Sequence, residues 1–421
     1  MEATLKTSQD RHSGKCAISP PWVVVAAGFH NHGGMDKANL ALAQYLVEQG
    51  TPVHAVCHTA DADFARHPLV TCHLVPMPAG SFFLGVPLLD FQGRRIARRV
   101  TRQWPGTRVL VNGDSCLWPA INWVHYVHHA WAPDLREGPL WFRTKQKLAH
   151  RMVRGREKSA ARLGQIFITN SDRTSRDMIE RLQVMPERVH KVYLGAESEW
   201  GPITREEKAA GRKALGIPEG RLVAAFVGAL GFENRKGFDV LFDTWKTLCA
   251  DPEWNVDLLV AGGGNALPMW RERVVESGLG DRIRLAGFTA DVRRLLAATD
   301  VLVSPARYEP YGLNVQEAIC RGVPAIVSAE AGVAERYGRQ CQPLLLRDPE
   351  DRRELVATIR VWRSNPEQWL SRFGPFGESL RAYGWKDMAR QMVALINHTE
   401  SGIAPDPTRP PRRALSSGTN C

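Results

Sequence analysis

Short apolar runs alternate along this chain with stretches in which apolar residues return every three or four positions. The runs at 22–28, 52–57, 71–75, 108–111, 123–127 and 165–169 predict strands, most of them buried on both faces. Residues 35–48, with Leu40, Ala43, Tyr45, Leu46 and Val47 turned inward, and the long stretch 140–163 predict helices. A strand at 189–194 closes this set. The same alternation then restarts, with strands at 222–228, 256–261, 283–286, 301–304, 325–328 and 343–345 and helices between them, the first from Gly237. Such alternation builds a parallel sheet clothed by helices. Its restart predicts an α/β protein of two Rossmann-like doubly wound domains, 20–200 and 201–382, facing each other across a cleft. An amphipathic helix at 383–398 follows, expected to pack back on the N-terminal domain. The ends, 1–19 and 399–421, are polar and are expected to be disordered.

Composition narrows the class. The 421 residues are 44% hydrophobic and 24% charged, the balance of an ordinary globular protein too long for one core. No apolar run is long enough to span a bilayer, and the first residues lack the apolar centre of a signal peptide, so a cytoplasmic protein is expected. The eight cysteines form no CxxC pair, and the loose group His54, Cys57, His58, Cys72 and His73 lacks metal-site spacing, so no metal is expected. A net charge of +11 favours anionic partners. No nucleic-acid-binding motif accompanies it, and no nucleic-acid partner is expected.

The chemistry concentrates at three strand ends in the second half. Ser304-Pro-Ala-Arg-Tyr-Glu-Pro-Tyr-Gly-Leu-Asn-Val-Gln-Glu-Ala leaves a strand, turns at Pro310 and Gly312, and enters a helix. The first amides of that helix, at Gly312, Leu313 and Asn314, have no partner inside it and suit a phosphate. Glu309 before the turn and Glu317 within the helix can reach a sugar on one side and a ribose on the other. Phe226-Val-Gly-Ala-Leu-Gly-Phe-Glu-Asn-Arg-Lys-Gly carries Gly228 at a strand end and Arg235 and Lys236 ahead of a helix, two cations able to neutralise a diphosphate. Ala261-Gly-Gly-Gly-Asn places Gly262 and Gly263 where a ligand could approach the backbone. Each stretch alone has a plainer reading, as solvated charge or turn glycine; together they converge.

Glu309-Pro-Tyr-Gly-Leu-Asn-Val-Gln-Glu317 and the following Arg321-Gly-Val-Pro-Ala-Ile-Val-Ser resemble the E-x7-E signature of the retaining GT-B glycosyltransferases of family 4, also called group 1. The likeness is specific over 222–337 and weaker but collinear in the N-terminal half. It implies a metal-independent hexosyltransferase, needing no cofactor, that takes a UDP- or GDP-type nucleotide sugar as co-substrate. The acceptor would be a glycan or lipid-linked molecule in cell-surface polysaccharide biosynthesis. It implies that Glu309 supports the donor sugar, Glu317 holds the ribose, the Gly312 and Leu313 amides bind the diphosphate, and Lys236 contacts phosphate. Gly33-Gly34 resembles the family's loop near diphosphate and acceptor, and His128 best matches a histidine reaching the sugar across the cleft, with His125 and His129 as alternatives. One departure stands out: the family's arginine after the strand-end glycine is Ala229 here, with Arg235 as its expected substitute.

Other readings remain open. An epimerase or a phosphorylase could share the fold, and a non-catalytic nucleotide-sugar binder is the alternative from another class, supported by Ala229. Basic stretches in the N-terminal half, Arg94, Arg95, Arg98, Arg99, Arg102 and Arg108 in one and Arg143, Lys145, Lys147, Arg151, Arg154, Arg156 and Lys158 in the other, raise an anionic membrane surface as a possible partner. In the first, Arg94, Arg98 and Arg102 are expected on one helical face and Ile96, Val100 and Trp104 on another.

Overall fold

The computed structural model describes residues 19–135, 137–218, 220–289 and 291–402. Two all-parallel sheets organise it. The first has seven strands in the spatial order Val70–Leu74, Val53–Cys57, Trp22–Val25, Arg108–Asn112, Ile121–Val124, Ile166–Thr169 and Val189–Lys191. The second has six: Ile283–Gly287, Val256–Ala261, Leu222–Val227, Val301–Ser304, Ala325–Ser328 and Leu345–Leu346. In both, the strand that comes first in sequence sits inside the sheet, and the order reverses beside it. That reversal opens a crevice at the strands' carboxyl ends, where ligands bind in open α/β sheets.

The central strands are buried throughout. All four residues of Trp22–Val25, Val301–Ser304 and Ala325–Ser328 are inaccessible, because helices cover both faces of each sheet. One core fills the second domain around Leu241, Trp245, Leu259 and Leu302. In the first domain, helix Gly34–Glu48 covers one face and helices Phe82–Gln103 and Leu140–Leu163 the other, through separate apolar clusters.

The chain crosses between the domains twice. After the first domain it passes through Ala196; helix Pro366–Arg381 then stays with the second, burying Trp369, Phe373 and Leu380. The return passes Gly384, which bridges Ala196, and the Ala196 amide donates to the Tyr383 carbonyl at 2.9 Å. Helix Trp385–Gly402 then buries Met388, Ala389, Met392 and Ile396 among first-domain residues such as Leu40 and Val47.

Several details differ from the sequence reading. The strands expected at 123–127 and 189–194 are observed at Ile121–Val124 and Val189–Lys191. The segment 343–345 is not a strand: a 3-10 turn, Gln342–Leu344, precedes the two-residue strand Leu345–Leu346. Pro343 offers no amide to a ladder, which delays pairing until past it. Trp104 caps helix Phe82–Gln103 and stays 39% exposed, because the helix ends before it could join Ile96 and Val100. The last helix runs through 399–402, taken above as part of a disordered tail. The remainder of the two expected disordered tails, 1–18 and 403–421, lies outside the described residues.

Candidate active site

A cavity of about 500 Å³ lies between the domains at both sheets' carboxyl edges. The N-terminal side supplies Gly33, Gly34 and Lys37; the C-terminal side supplies Gly228, Gly262, Gly263, Leu313, Asn314 and Glu317. The loops expected to hold a donor thus converge on one space.

Local geometry explains why these residues stand there. Gly312 has φ 104°, a left-handed turn that suits glycine, and launches helix Leu313–Cys320 with its first amides towards the cleft. The Asn314 side chain is structural: its Nδ2 donates to the Val227 carbonyl at 2.8 Å, pinning the helix start to a strand end. A Cβ at Gly34 would stand 3.1 Å from Leu313 Cδ2, so glycine there lets the two domains approach. At Gly262 the close neighbour is protein, since a Cβ would fall 1.8 Å from the Gly228 carbonyl oxygen. Gly263 has room beside it, and both glycines line the cavity.

Glu309 and Lys236 do not line the cavity; they form a buried ion pair just behind it. Lys236 Cγ lies 3.2 Å from where a Gly228 Cβ would be, and Glu309 Cγ 3.4 Å from one at Gly312. Burial raises the Glu309 pKa, but Lys236, Arg235 and the Tyr311 amide outweigh it and hold the carboxyl below its ordinary value. Glu317 shows the opposite balance. Burial raises it, and Lys37 only partly opposes this from 3.4 Å. Lys37 also pairs with Glu197 and lies over the rings of Trp200 and Trp385 at 5.4 and 5.7 Å.

Arg235, the expected substitute for the missing arginine, stands behind the cavity with Lys236 and Glu309. Ala229 lines the cavity, whereas Arg235 does not. Its guanidinium donates to the Tyr308 carbonyl at 3.1 Å and lies 5.5 Å from the Tyr126 ring centre. Of the three histidines, His128 is the one beside this cluster, 4.6 Å from Tyr126 ring to ring. Burial, then His150, His129 and Arg235, push its pKa down to about 4, so its ring is neutral at neutral pH. His125 is structural: its ring lies on Trp123 at 4.5 Å, and burial pushes its pKa down to about 3. His129 is held by Glu157, whose carboxylate also accepts the His128 and His129 amides at 2.7 and 3.0 Å. His54 and His73 meet at 3.1 Å and Cys57 and Cys72 at 3.9 Å, on opposite sheet faces by register. Among the described residues no group of three or more metal-ligating side chains gathers.

The sequence reading missed Lys37, Tyr126, Tyr308 and Glu157. Lys37 carried a signal, lying in the first turn after the Gly33-Gly34 loop, and Tyr308 adjoins Glu309. Ser171 was also missed; its hydroxyl donates to the Pro310 carbonyl at 2.6 Å, tying the first domain to the turn between Glu309 and Gly312.

Two Rossmann-like domains with a glycine-lined interdomain cavity define the GT-B architecture, and solved structures agree. Sucrose-phosphate synthase from Thermosynechococcus elongatus superposes with a TM-score of 0.71 at 18% identity, over 91% of this chain and 100% of that one. An Anabaena protein in complex with UDP and glucose gives 0.67 at 16% identity, over 89% and 99%. Residues 32–200 match the profile described as Glycosyltransferase Family 4, and residues 221–365 that of Glycosyl transferases group 1. The chain belongs to this family, the group 1 or family 4 glycosyltransferases. Mannosylfructose-phosphate synthase from Agrobacterium fabrum is 29% identical over 233 residues, 52% of this chain and 50% of that protein. The chain therefore spans about half the length of that curated relative. Among the described residues no helix is long and apolar enough to cross a membrane.

Proposed function

We propose that this protein moves a hexose from a nucleoside-diphosphate sugar of the UDP or GDP type to a glycan or lipid-linked acceptor, without a metal and with retained anomeric configuration. The observation that carries this reading is the meeting of Gly33-Gly34, Gly228, the start of helix Leu313–Cys320 and Glu317 around one cavity. Those groups suit, in turn, the acceptor side, the diphosphate and the ribose. A role in cell-surface polysaccharide biosynthesis rests on the family resemblance.

In the proposed reaction the acceptor hydroxyl bonds to the anomeric carbon as the bond from that carbon to the diphosphate oxygen breaks. The acceptor's proton passes to the leaving diphosphate. Charge grows on that group, and fixed donors stabilise it most in the transition state. The amides at Gly312 and Leu313 and the Lys236 ammonium are those donors. Lys236 is shared with Glu309 in the free protein, so an arriving diphosphate competes for a cation already desolvated and held in place. Glu309, kept ionised by two cations, is suited to supporting the sugar's positive charge. His128, neutral and beside Arg235, faces the same region from the other domain.

The test is nucleoside-diphosphate release from a panel of UDP-, GDP- and ADP-sugars, with and without EDTA, beside Glu309→Ala. EDTA-insensitive release from one donor, lost in the variant, supports the reading. No nucleotide binding would sink it. A second reading, a nucleotide-sugar-binding protein without turnover, draws on Ala229 and on the pairing of Lys236; binding without release under any acceptor would favour it.

A further inference from the structure

Helix Phe82–Gln103 exposes one continuous stripe of two compositions. Leu84, Leu88 and Phe91 come first, exposed by 46%, 38% and 59%, and Arg95, Arg98 and Arg102 continue the same face. The opposite face, with Leu89, Ile96 and Val100, is buried against the sheet, and among the described residues the stripe meets only the Trp118 ring, 6.0 Å from the Arg98 guanidinium. Helix Leu140–Leu163 also exposes apolar and basic residues together. Its exposed surface is mixed: Leu140, Trp141 and Leu148, exposed by 75%, 67% and 61%, stand with exposed Lys145 and Lys147, and Arg151 and Lys158 follow.

The two helices cover the same face of the sheet, and Arg156 of the second reaches Asp90 of the first at 3.8 Å. Each begins after a run of chain leaving the strands' carboxyl edge, so the exposed apolar residues of both stand towards the cleft rim, and the arginines of the first helix run away from it. Across both helices there are thirteen arginines and lysines and two acids, Asp90 and Glu157. Both acids are buried, Asp90 pairing with Arg94 and Glu157 holding the His128 loop, so neither offsets charge on the outer face. Among the described residues, no carboxylate pairs with Arg95, Arg98 or Arg102.

We propose that this two-helix face of the N-terminal domain docks on an anionic phospholipid bilayer, seating Leu84, Leu88, Phe91, Trp141 and Leu148 among the acyl-chain ends and the arginines against lipid phosphates. Charge alone would suit nucleic acid equally. Leucine, phenylalanine and tryptophan at one end of the same stripes suit a bilayer interface, where an amphipathic surface buries apolar groups below a basic rim. The docked orientation turns the cleft rim to the lipid. That would present a lipid-linked acceptor to the cavity, a consequence that rests on the proposed transferase reading; the docking itself does not.

The experiment is co-sedimentation of the full chain with vesicles of phosphatidylcholine alone or mixed with phosphatidylglycerol, at low and high salt. Two triple variants accompany it, Arg95→Gln/Arg98→Gln/Arg102→Gln and Leu84→Gln/Leu88→Gln/Phe91→Gln. The full chain is expected to pellet with the anionic vesicles and stay in solution with the neutral ones. Removing three arginines should weaken partitioning on the order of a hundredfold. The apolar variant should still pellet at low salt but release at salt that the unaltered protein withstands. Nucleotide binding retained by both variants reports that they fold, and it is a separate readout from the donor-site proposal. Failure of the full chain to pellet with anionic vesicles at low salt overturns the proposal. So does partitioning unchanged in both variants, or self-association without lipid that the apolar variant abolishes, which would assign the face to a second copy.

Discussion

Replacing Lys236 by methionine keeps the stem of the side chain and removes only its charge, leaving Glu309 as a buried carboxylate beside the cavity. The two side chains are 16% and 10% exposed, so solvent can take over little of the lost interaction. Breaking a buried pair from one side costs about 3–5 kcal/mol. Arg235 and the Tyr311 amide still favour the anion, which places the expected loss at the low end, about 3 kcal/mol. Lys236→Met/Glu309→Gln removes both charges and should return to within about 1 kcal/mol of the unaltered protein, since a pair replaced whole is often neutral. Denaturant titration of the four proteins of this cycle, read by tryptophan fluorescence, gives the coupling directly. The Glu309 pKa is held down in the folded state, so its contribution is present above the ordinary carboxylate pKa and is lost as pH falls through the lower folded value. The gap between the unaltered protein and Lys236→Met should close on that descent. In turnover the same variant should lose a hundredfold or more, the order expected for one lost donor to a developing anion. A Lys236→Met protein of unchanged stability, with no coupling to Glu309, would refute the reasoning.

Three further outcomes are expected. Ala229→Arg puts a guanidinium into the cavity wall and should tighten nucleoside-diphosphate binding by about tenfold or more, one charge-assisted contact; calorimetry showing equal or weaker binding would count against the diphosphate site. Met392→Ala empties a fully buried position where the last helix meets the first domain, and should cost about 2–5 kcal/mol in denaturant unfolding; a loss below about 1 kcal/mol would mean the helix is not seated there. Burial pushes the Glu157 pKa up to about 7, so its contribution is full below its unfolded value and is lost as pH rises through about 7. The unaltered protein should therefore lose stability relative to Glu157→Gln between about pH 5 and about pH 8 in melting curves, and a constant difference would contradict the assignment.

Much of this could be read from the chain before its structure. Runs such as Trp22–Val25 and Val301–Ser304 announce strands because a strand covered on both faces is filled mostly by apolar residues. The turn between Glu309 and Glu317 was legible because helix start, glycine and carboxylates lie within one short stretch. Contacts made by bringing distant segments together were not. Lys37 meets Glu317 across 280 positions, and Tyr126 meets Tyr308 only where the two domains touch. Spacing holds no record of such meetings. Arg235 shows the related limit: its place in sequence suggested a stand-in for the absent arginine, yet its direction is set by Tyr126 and the Tyr308 carbonyl. Gly262 lines the cavity, but spacing did not show that its missing Cβ also makes room for the neighbouring loop's own backbone.

The paired crossing at Ala196 and Gly384 bears on how the halves can move. A protein joined by one strand of chain can swivel about single bonds in many directions. Here two strands run side by side, so tightly that a Cβ on Gly195 would meet Trp385 Cα at 2.4 Å. Twisting or sliding would have to shear that contact, whereas bending across it would not. One swing is therefore the soft coordinate. Whatever enters the cavity and whatever leaves it use the same doorway, and a backbone nick in either tether would leave the halves joined and in register through the other.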